Sequence, residues 1–416
     1  MKKLVLTSLL SCFLVACGGG GGGAAITTPA PTPEPPAGVV NTLFSTSYEN
    51  MKNKNFPQFK IPTGPGLSFS SAVAMGDFFG DGSTIVMLSN TFNSVNCMLN
   101  GPGGTEASPS CLGPAPTYIK DEYRAVLKFY KLTASNTLED TGKTVQGCLT
   151  PRKAMVADFN RDGKPDIFIA CHGWDTVVPF FPGEPSRLLI NDGHGSFNVS
   201  DVGATDRNAD GRGYYHGASV ADINGDGYPD IALVDSSRNN FKNVTVLLNQ
   251  PTSPGTFVVD DNRITGLSEG PYFTVELVDL NGDGKVDMVA GGEEPGHPGG
   301  NAWSKAVTVV LYNDGTGRFG SRAGDKLIIP AVNAEHIPMD ITVFSKAADE
   351  KVLMISRTDY ATQSVQIFNL KTNTSTVVQQ TDNTWVEWWL PTTKNGVKGI
   401  VPFSDARNKD AWVALP

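Results

Sequence analysis

Asp158-Phe159-Asn160-Arg161-Asp162-Gly163-Lys164-Pro165-Asp166 is the stretch whose reading decides this chain. It returns at the same spacing as Asp222-Ile223-Asn224-Gly225-Asp226-Gly227-Tyr228-Pro229-Asp230. It returns again as Asp279-Leu280-Asn281-Gly282-Asp283-Gly284-Lys285-Val286-Asp287. Side-chain oxygens stand at positions 1, 3, 5 and 9, and the carbonyl of position 7 (Lys164, Tyr228, Lys285) is a natural fifth donor. That all-oxygen set suits a calcium ion, which takes roughly six to eight such ligands. Gly at position 6 lets the loop turn back on itself. The nine Asp residues of three short loops would otherwise repel one another. A metal-free Asp-Gly turn accounts for one copy, not for three with identical spacing. An EF-hand is excluded, because its bidentate Glu at position 12 is here Ile169, Leu233 and Ala290. The flanks, such as Lys153–Ala157 and Ile167–Ala170, are short apolar runs that read as strands. The expectation is about three Ca2+ sites, each closing a β-hairpin.

Each loop is followed by a second repeated phrase: Asn191-Asp192-Gly193-His194-Gly195-Ser196-Phe197, then Asn313-Asp314-Gly315-Thr316-Gly317-Arg318-Phe319, with a looser version from Asn249 to Phe257. Asn-Asp-Gly between apolar runs is a hairpin signal. One unit is therefore strand a, calcium loop, strand b, longer loop, strand c, Asn-Asp-Gly turn, strand d. Four antiparallel strands recurring at this period make a propeller blade. A decayed copy of the loop, Asp77-Phe78-Phe79-Gly80-Asp81-Gly82-Ser83-Thr84-Ile85, has lost positions 3 and 9 and is expected to hold no tight calcium. Asp340 to Ile355 and Trp389 to Pro402 keep the strand pattern without the carboxylates. The fold expected is an all-β propeller of six four-stranded blades. Seven is the alternative if a worn blade hides between Asn90 and Thr150. Ala411–Leu415 resembles a strand c, and Phe56–Ile61 an orphan strand d. Joining them would close the ring from both termini and remove exposed sheet edges.

These units resemble the FG-GAP or VCBS repeats of integrin-α-like β-propellers, including bacterial secreted proteins. The likeness spans most of residues 40–416, strong in units two to four and weak in units one, five and six. It implies calcium on Asp158, Asn160, Asp162 and Asp166 and on their counterparts in the next two units. It also implies an extracellular recognition scaffold, without naming a ligand.

Met1-Lys2-Lys3 and the apolar run Leu4–Val15 read as a signal peptide over residues 1–16, too short to span a bilayer. Leu14-Val15-Ala16-Cys17 resembles the bacterial lipoprotein processing box, which implies lipidation of Cys17 and membrane anchoring through it. Gly18 rather than Asp after that Cys implies, by the same resemblance, an outer-membrane lipoprotein, facing either the periplasm or the cell surface. Residues 17–38 carry a polyglycine run and five prolines and read as a tether, leaving 39–416 as the propeller. Four cysteines remain, and the expected pairs are Cys97–Cys111, across an insertion, and Cys148–Cys171, across one strand pair. The net charge of −9 is largely that of the loop aspartates and offers no basic patch for nucleic acid or an anionic membrane surface.

Propeller topology puts the b–c and d–a loops at the end opposite the calcium loops. Residues expected there form a candidate ligand face: His172, Trp174, Arg212, Tyr214, Tyr215, His216, Glu293, His297, His336, Arg357 and Tyr360. Aromatic rings beside Arg and carboxylates suit a carbohydrate or a protein partner. A surface-tethered recognition or adhesion module is the reading favoured. The alternatives are a calcium-dependent polysaccharide-degrading enzyme and a structural subunit of a cell-surface assembly. His172 with His216, and His297 with His336, come from neighbouring units and make an acid–base or metal pair geometrically possible. No nucleophile motif, zinc signature or phosphate loop accompanies them.

Overall fold

Short runs of β-branched and apolar residues separated by Gly- and Asp-rich turns leave the backbone few options besides antiparallel ladders. The computed structural model of the chain is accordingly all-β, with 23 strands among the described residues. It describes residues 69–90, 124–173, 183–205, 211–236, 243–296, 304–347, 350–359, 361–380, 389–402 and 412–416. Blade one comprises β1 (Phe69–Gly76), β2 (Ile85–Asn90), β3 (Val126–Leu132) and β4 (Leu138–Gln146). Blade two comprises β5 (Pro151–Ala157), β6 (Asp166–Cys171), β7 (Ser186–Asn191) and β8 (Phe197–Val202). Blade three is β9 (Tyr215–Ala221), β10 (Asp230–Asp235), β11 (Val244–Gln250) and β12 (Ser253–Val259). Blade four is β13 (Tyr272–Val278), β14 (Asp287–Gly292), β15 (Val309–Leu311) and β16 (Lys326–Ile328). Blade five is β17 (Ile337–Ala347), β18 (Glu350–Thr358), β19 (Gln363–Asn369) and β20 (Thr374–Gln380). Blade six shows β21 (Trp389–Lys394), β22 (Val397–Pro402) and β23 (Val413–Ala414) among the described residues.

Every sheet is an antiparallel meander of strands consecutive in the chain. The first strands of successive blades touch in series, β1 to β5, β5 to β9, β9 to β13, β13 to β17 and β17 to β21. Leu390 of β21 lies in the same apolar cluster as Ala72, Val73 and Leu88 of blade one, with Val401 of β22 packed against it. That contact closes the ring. The result is a six-bladed propeller. The stretch from Asn90 to Thr150 supplies the outer strands β3 and β4 of blade one, not a seventh blade.

Burial follows from this stacking. Each inner strand is covered on both faces by neighbouring blades, so β5 and β6 are buried at every residue. The outer strands β8 and β12 alternate exposed and half-buried residues, and polar side chains there keep the sheet edges solvated. The chain's last strand behaves as expected of a strand c: Val413 pairs with Ile400 and Ala414 with Gly399. Its expected partner at Phe56–Ile61 lies outside the described residues, as do the signal segment, the tether, Cys17, Cys97 and Cys111. Cys148 and Cys171 are joined in a disulfide with their Cα atoms 6.0 Å apart. Among the described residues no helix is long and apolar enough to cross a membrane.

Candidate calcium loops and the opposite end of the ring

The aspartates that were read as ligands also fold their own loops. Asp158 accepts the N–H of Asp162 on Oδ1 (3.0 Å) and that of Gly163 on Oδ2 (2.8 Å). Asp222 accepts from Gly225 (2.8 Å), Asp226 (3.1 Å) and Gly227 (2.8 Å). Asp279 accepts from Gly282 (2.7 Å) and Gly284 (2.9 Å). The Oδ1 atoms of Asn160, Asn224 and Asn281 each take the N–H two residues on, at 3.1, 2.9 and 2.9 Å. Asp162, Asp226 and Asp283 do the same for Lys164, Tyr228 and Lys285, at 3.0, 2.9 and 2.8 Å. Such local side-chain bonds wind the backbone into one compact turn. Gly163, Gly227 and Gly284 take φ of 84°, 85° and 79°, the left-handed region that a Cβ disfavours. Asp162, Asp226 and Asp283 stand exposed at the tips.

Position 9 behaves differently. Asp166, Asp230 and Asp287 are fully buried, and each divides its two oxygens between two main-chain N–H groups. One oxygen takes the residue at position 2 of its own loop: Phe159, Ile223 or Leu280, all at 2.9 Å. The other takes the N–H of Asn191, Asn249 or Asn313, at 2.8, 2.9 and 2.8 Å. Those asparagines return a bond from Nδ2 to the carbonyl of position 8: Pro165, Pro229 or Val286. The two repeated phrases of the sequence are thus halves of one latch, which is why they travel together. Each Asp oxygen keeps a second lone pair for a cation. Burial pushes Asp166 and Asp230 up to about 7 and Asp287 up to about 6, so ionising them is costly unless positive charge is near.

The donor set fits a hard divalent cation in chemistry, with an exposed carboxylate at position 5, less exposed oxygens at position 1 and a buried acidic anchor at position 9. Its carboxylates stand apart. Among the described residues, only Cys148, Cys171 and Glu184 bring three His, Cys, Asp or Glu donor atoms all within 4.8 Å of one another, and those two sulfurs are bonded together. The degenerate loop keeps the first half of the device: Asp77 still accepts from Asp81 (3.2 Å) and Gly82 (2.9 Å). Neighbouring loops also touch, with the Arg161 guanidinium over the Tyr228 ring at 5.0 Å and Asn249 Nδ2 donating to Phe159 O at 2.8 Å.

The opposite end requires corrections. Six of the eleven residues assigned to a ligand face are buried: His172, Tyr214, Tyr215, His216, Glu293 and Arg357. The inner strands begin earlier and strand b ends later than the loop reading assumed, so Tyr215 and His216 belong to β9 and Arg357 to β18. Tyr215 Oη donates to Gly211 O (2.8 Å) and accepts from Ala204 N (2.9 Å), which ties down the incoming loop. Arg357 bridges blades through Glu294 Oε1 (2.9 Å), Thr308 Oγ1 (3.2 Å) and Ile329 O (3.2 Å). Glu293 accepts from Ser304 Oγ. Arg212 and His336 are half-buried. Trp174, His297 and Tyr360 lie outside the described residues.

His172 and His216 do meet, with ring centroids 5.5 Å apart. Burial, with Arg152 as the next cause, depresses His216 to about 3 and His172 well below the imidazole range, so both rings are neutral. His216 Nδ1 lies 3.1 Å from Phe273 O and donates to it. Beside them is a cluster that the loop reading missed. Lys153 Nζ lies 2.6 Å from Glu276 Oε1 and 3.3 Å from Asp340 Oδ1, all three side chains being buried. The available signal was a charge at Lys153, Glu276 and Asp340 within otherwise apolar stretches of three inner strands.

Residues 158–233 and 222–290 match the model of the FG-GAP-like repeat. Those segments hold the three full loops and the first two latches, whereas Asn313 of the third latch lies beyond them. The chain is an FG-GAP repeat β-propeller. No curated protein matches it. Among solved structures, this FG-GAP propeller is similar to a structural-genomics crystal structure of a protein from Lactobacillus plantarum. The identity is 12%, the TM-score 0.44, and the match covers 83% of this chain and 84% of the other.

Proposed function

We propose that this propeller is a calcium-binding extracellular recognition or adhesion module, anchored by a lipid on Cys17 as an outer-membrane lipoprotein, with a carbohydrate or protein as ligand. The observation that carries the calcium part is the set of three preorganised loops on consecutive blades. In each, the position 1, 3 and 5 side chains already wind the loop through main-chain N–H bonds, and the position 5 carboxylate stands exposed at the tip. A cation entering there would draw the loop oxygens together and relieve the mutual repulsion of the aspartates. Calcium would then rigidify one end of the ring, and the loops at the other end would meet the ligand.

Calorimetric titration of chelator-treated protein with calcium should give about three sites and a higher melting temperature. No heat and no change in melting would overturn the calcium reading. Anchoring is tested by Cys17→Ala, which should move the protein from the membrane fraction to the soluble fraction. Recognition is tested by retention on a panel of bacterial, plant and algal polysaccharides with calcium present. Retention lost in Trp174→Ala or Arg212→Ala would locate the ligand on the loop end. Absence of retention on every member would favour a protein partner.

A further inference from the structure

Lys153 belongs to blade two, Glu276 to blade four and Asp340 to blade five, so in a ring of six their contacts must cross the centre. The network reaches farther still. Ser219 Oγ of blade three lies 3.3 Å from Glu276 Oε2, and Asp340 Oδ2 accepts the N–H of Trp389 in blade six at 2.8 Å. Five blades therefore meet at one buried charge cluster. At the contacts themselves two carboxylates face one ammonium. Two buried carboxylates that share one ammonium disfavour double ionisation, and a proton on one of them relieves that cost.

We infer that Lys153, Glu276 and Asp340 form a proton-dependent clasp on the propeller axis, in which the closed ring holds one extra proton on Glu276 and release of that proton loosens it. The hydrogen-bond partners assign the proton. Asp340 Oδ2 faces a main-chain N–H, which can only donate, so that oxygen must be ionised or bare. Glu276 Oε2 faces Ser219 Oγ, which donates to it when the carboxylate is ionised. That hydroxyl oxygen also accepts the N–H of Leu277 at 3.0 Å and keeps a second lone pair, so a protonated Oε2 has an acceptor there once the hydroxyl turns. Other charged or titratable groups are close. Arg152 of β5 and His216 of β9 line, with Lys153, Asp340, Phe273, Thr274 and Met339, a cavity of about 10 Å³, room for about one water. His172, just after β6, packs against Arg152 and His216, and both imidazoles are neutral. Arg152 is thus the additional cation, and its charge works against protonation of Glu276. Burial works the other way and is the larger effect, lifting Glu276 to about 8 with help from Asp340. Burial also raises Asp340. Burial alone would lower Lys153, but its two carboxylate partners outweigh that and raise it.

The direction of the pH dependence follows. Between the ordinary Glu range near 4.5 and about 8, the folded chain binds more protons at Glu276 than the unfolded chain does, so stability falls as pH rises through that window. Asp340 contributes with the same sign, and Lys153 only above its ordinary range. Melting temperature of the whole protein in excess calcium, followed from pH 5 to 9, is the test. Glu276→Gln, which mimics the neutral acid, should melt with the wild type near pH 5 and progressively above it toward pH 9. Asp340→Asn, which removes a contribution of the same sign and one of the charges that raises Glu276, should flatten the slope in part, less than Glu276→Gln does. Parallel curves for wild type and Glu276→Gln, or an Asp340→Asn curve flatter than that of Glu276→Gln, would overturn the assignment. Should a variant fold poorly, the carboxyl carbon resonances of the wild-type protein labelled at Glu decide. Burial raises Glu184 to about 7 as well, so two signals should titrate late, and the later of them should have its midpoint at about pH 8. A set in which no Glu signal has a midpoint above about pH 7 would refute the clasp.

Discussion

The hairpins of blades two to four and the hairpin of blade five solve the same problem with different chemistry. In the first group, a nine-residue loop is wound on Asp and Asn side chains, and a buried Asp bolts it to the Asn of the c–d turn. In blade five, β17 and β18 are longer, and Ser345 pairs with Lys351 in a ladder that replaces the acidic loop. The bolt nevertheless survives there in altered form. Asn369 donates from Nδ2 to Glu350 Oε1 at 2.7 Å and accepts the N–H of Lys371 at 2.9 Å. A blade therefore needs the tie between its a–b hairpin and its c–d turn, but it does not need the oxygen cluster. That cluster adds repulsion in the absence of a cation, and only an ion would recover the cost.

Chelation should separate the two designs most widely. Each calcium site is worth about 2.7 kcal/mol when free ion stands about 100-fold above its dissociation constant. Amide exchange should accelerate over 158–166, 222–230 and 279–287 while β17 and β18 stay protected. Equal acceleration in both regions would break the comparison. Next in size is Asp230→Ala, which strips the acceptors from the N–H groups of Ile223 and Asn249. It should cost about 2–4 kcal/mol, measured by denaturant unfolding, and the loss should persist in excess chelator. Glu350→Ala should cost about 1 kcal/mol, with no dependence on calcium, because its bond is half-buried. Smallest of all, Asp81→Ala in the degenerate loop of blade one should leave the denaturant midpoint and the calcium stoichiometry essentially unaltered.

The loops, their turns and the strand order were readable from the chain because the forces that shape them are local. Asp158 reaches Asp162 and Gly163 four and five residues away, so spacing encodes geometry directly. Blade count was readable for the same reason, through six copies of one hairpin signal, two of them without the carboxylate pattern of the loop. The ligand face was misread at particular positions. Tyr215, His216 and Arg357 look like loop residues because aromatic and charged groups usually favour solvent or a ligand, yet they fill and tie the inner ends of blades. Their polar atoms find partners that no local pattern announces, such as Gly211 O for Tyr215 and Glu294 for Arg357.

By itself, the sequence determined the period, the shape of each loop and the pairing of strands that follow one another, since each is settled within a few residues by hydrogen bonds and alternation. Only the tertiary structure decided what occupies the axis. Lys153 meets Glu276 across 123 residues and Asp340 across 187, and nothing in the neighbourhood of any one of them encodes the other two. Ring closure brings them together, and the low polarity of a six-bladed interior turns three isolated charges into one proton-bearing cluster.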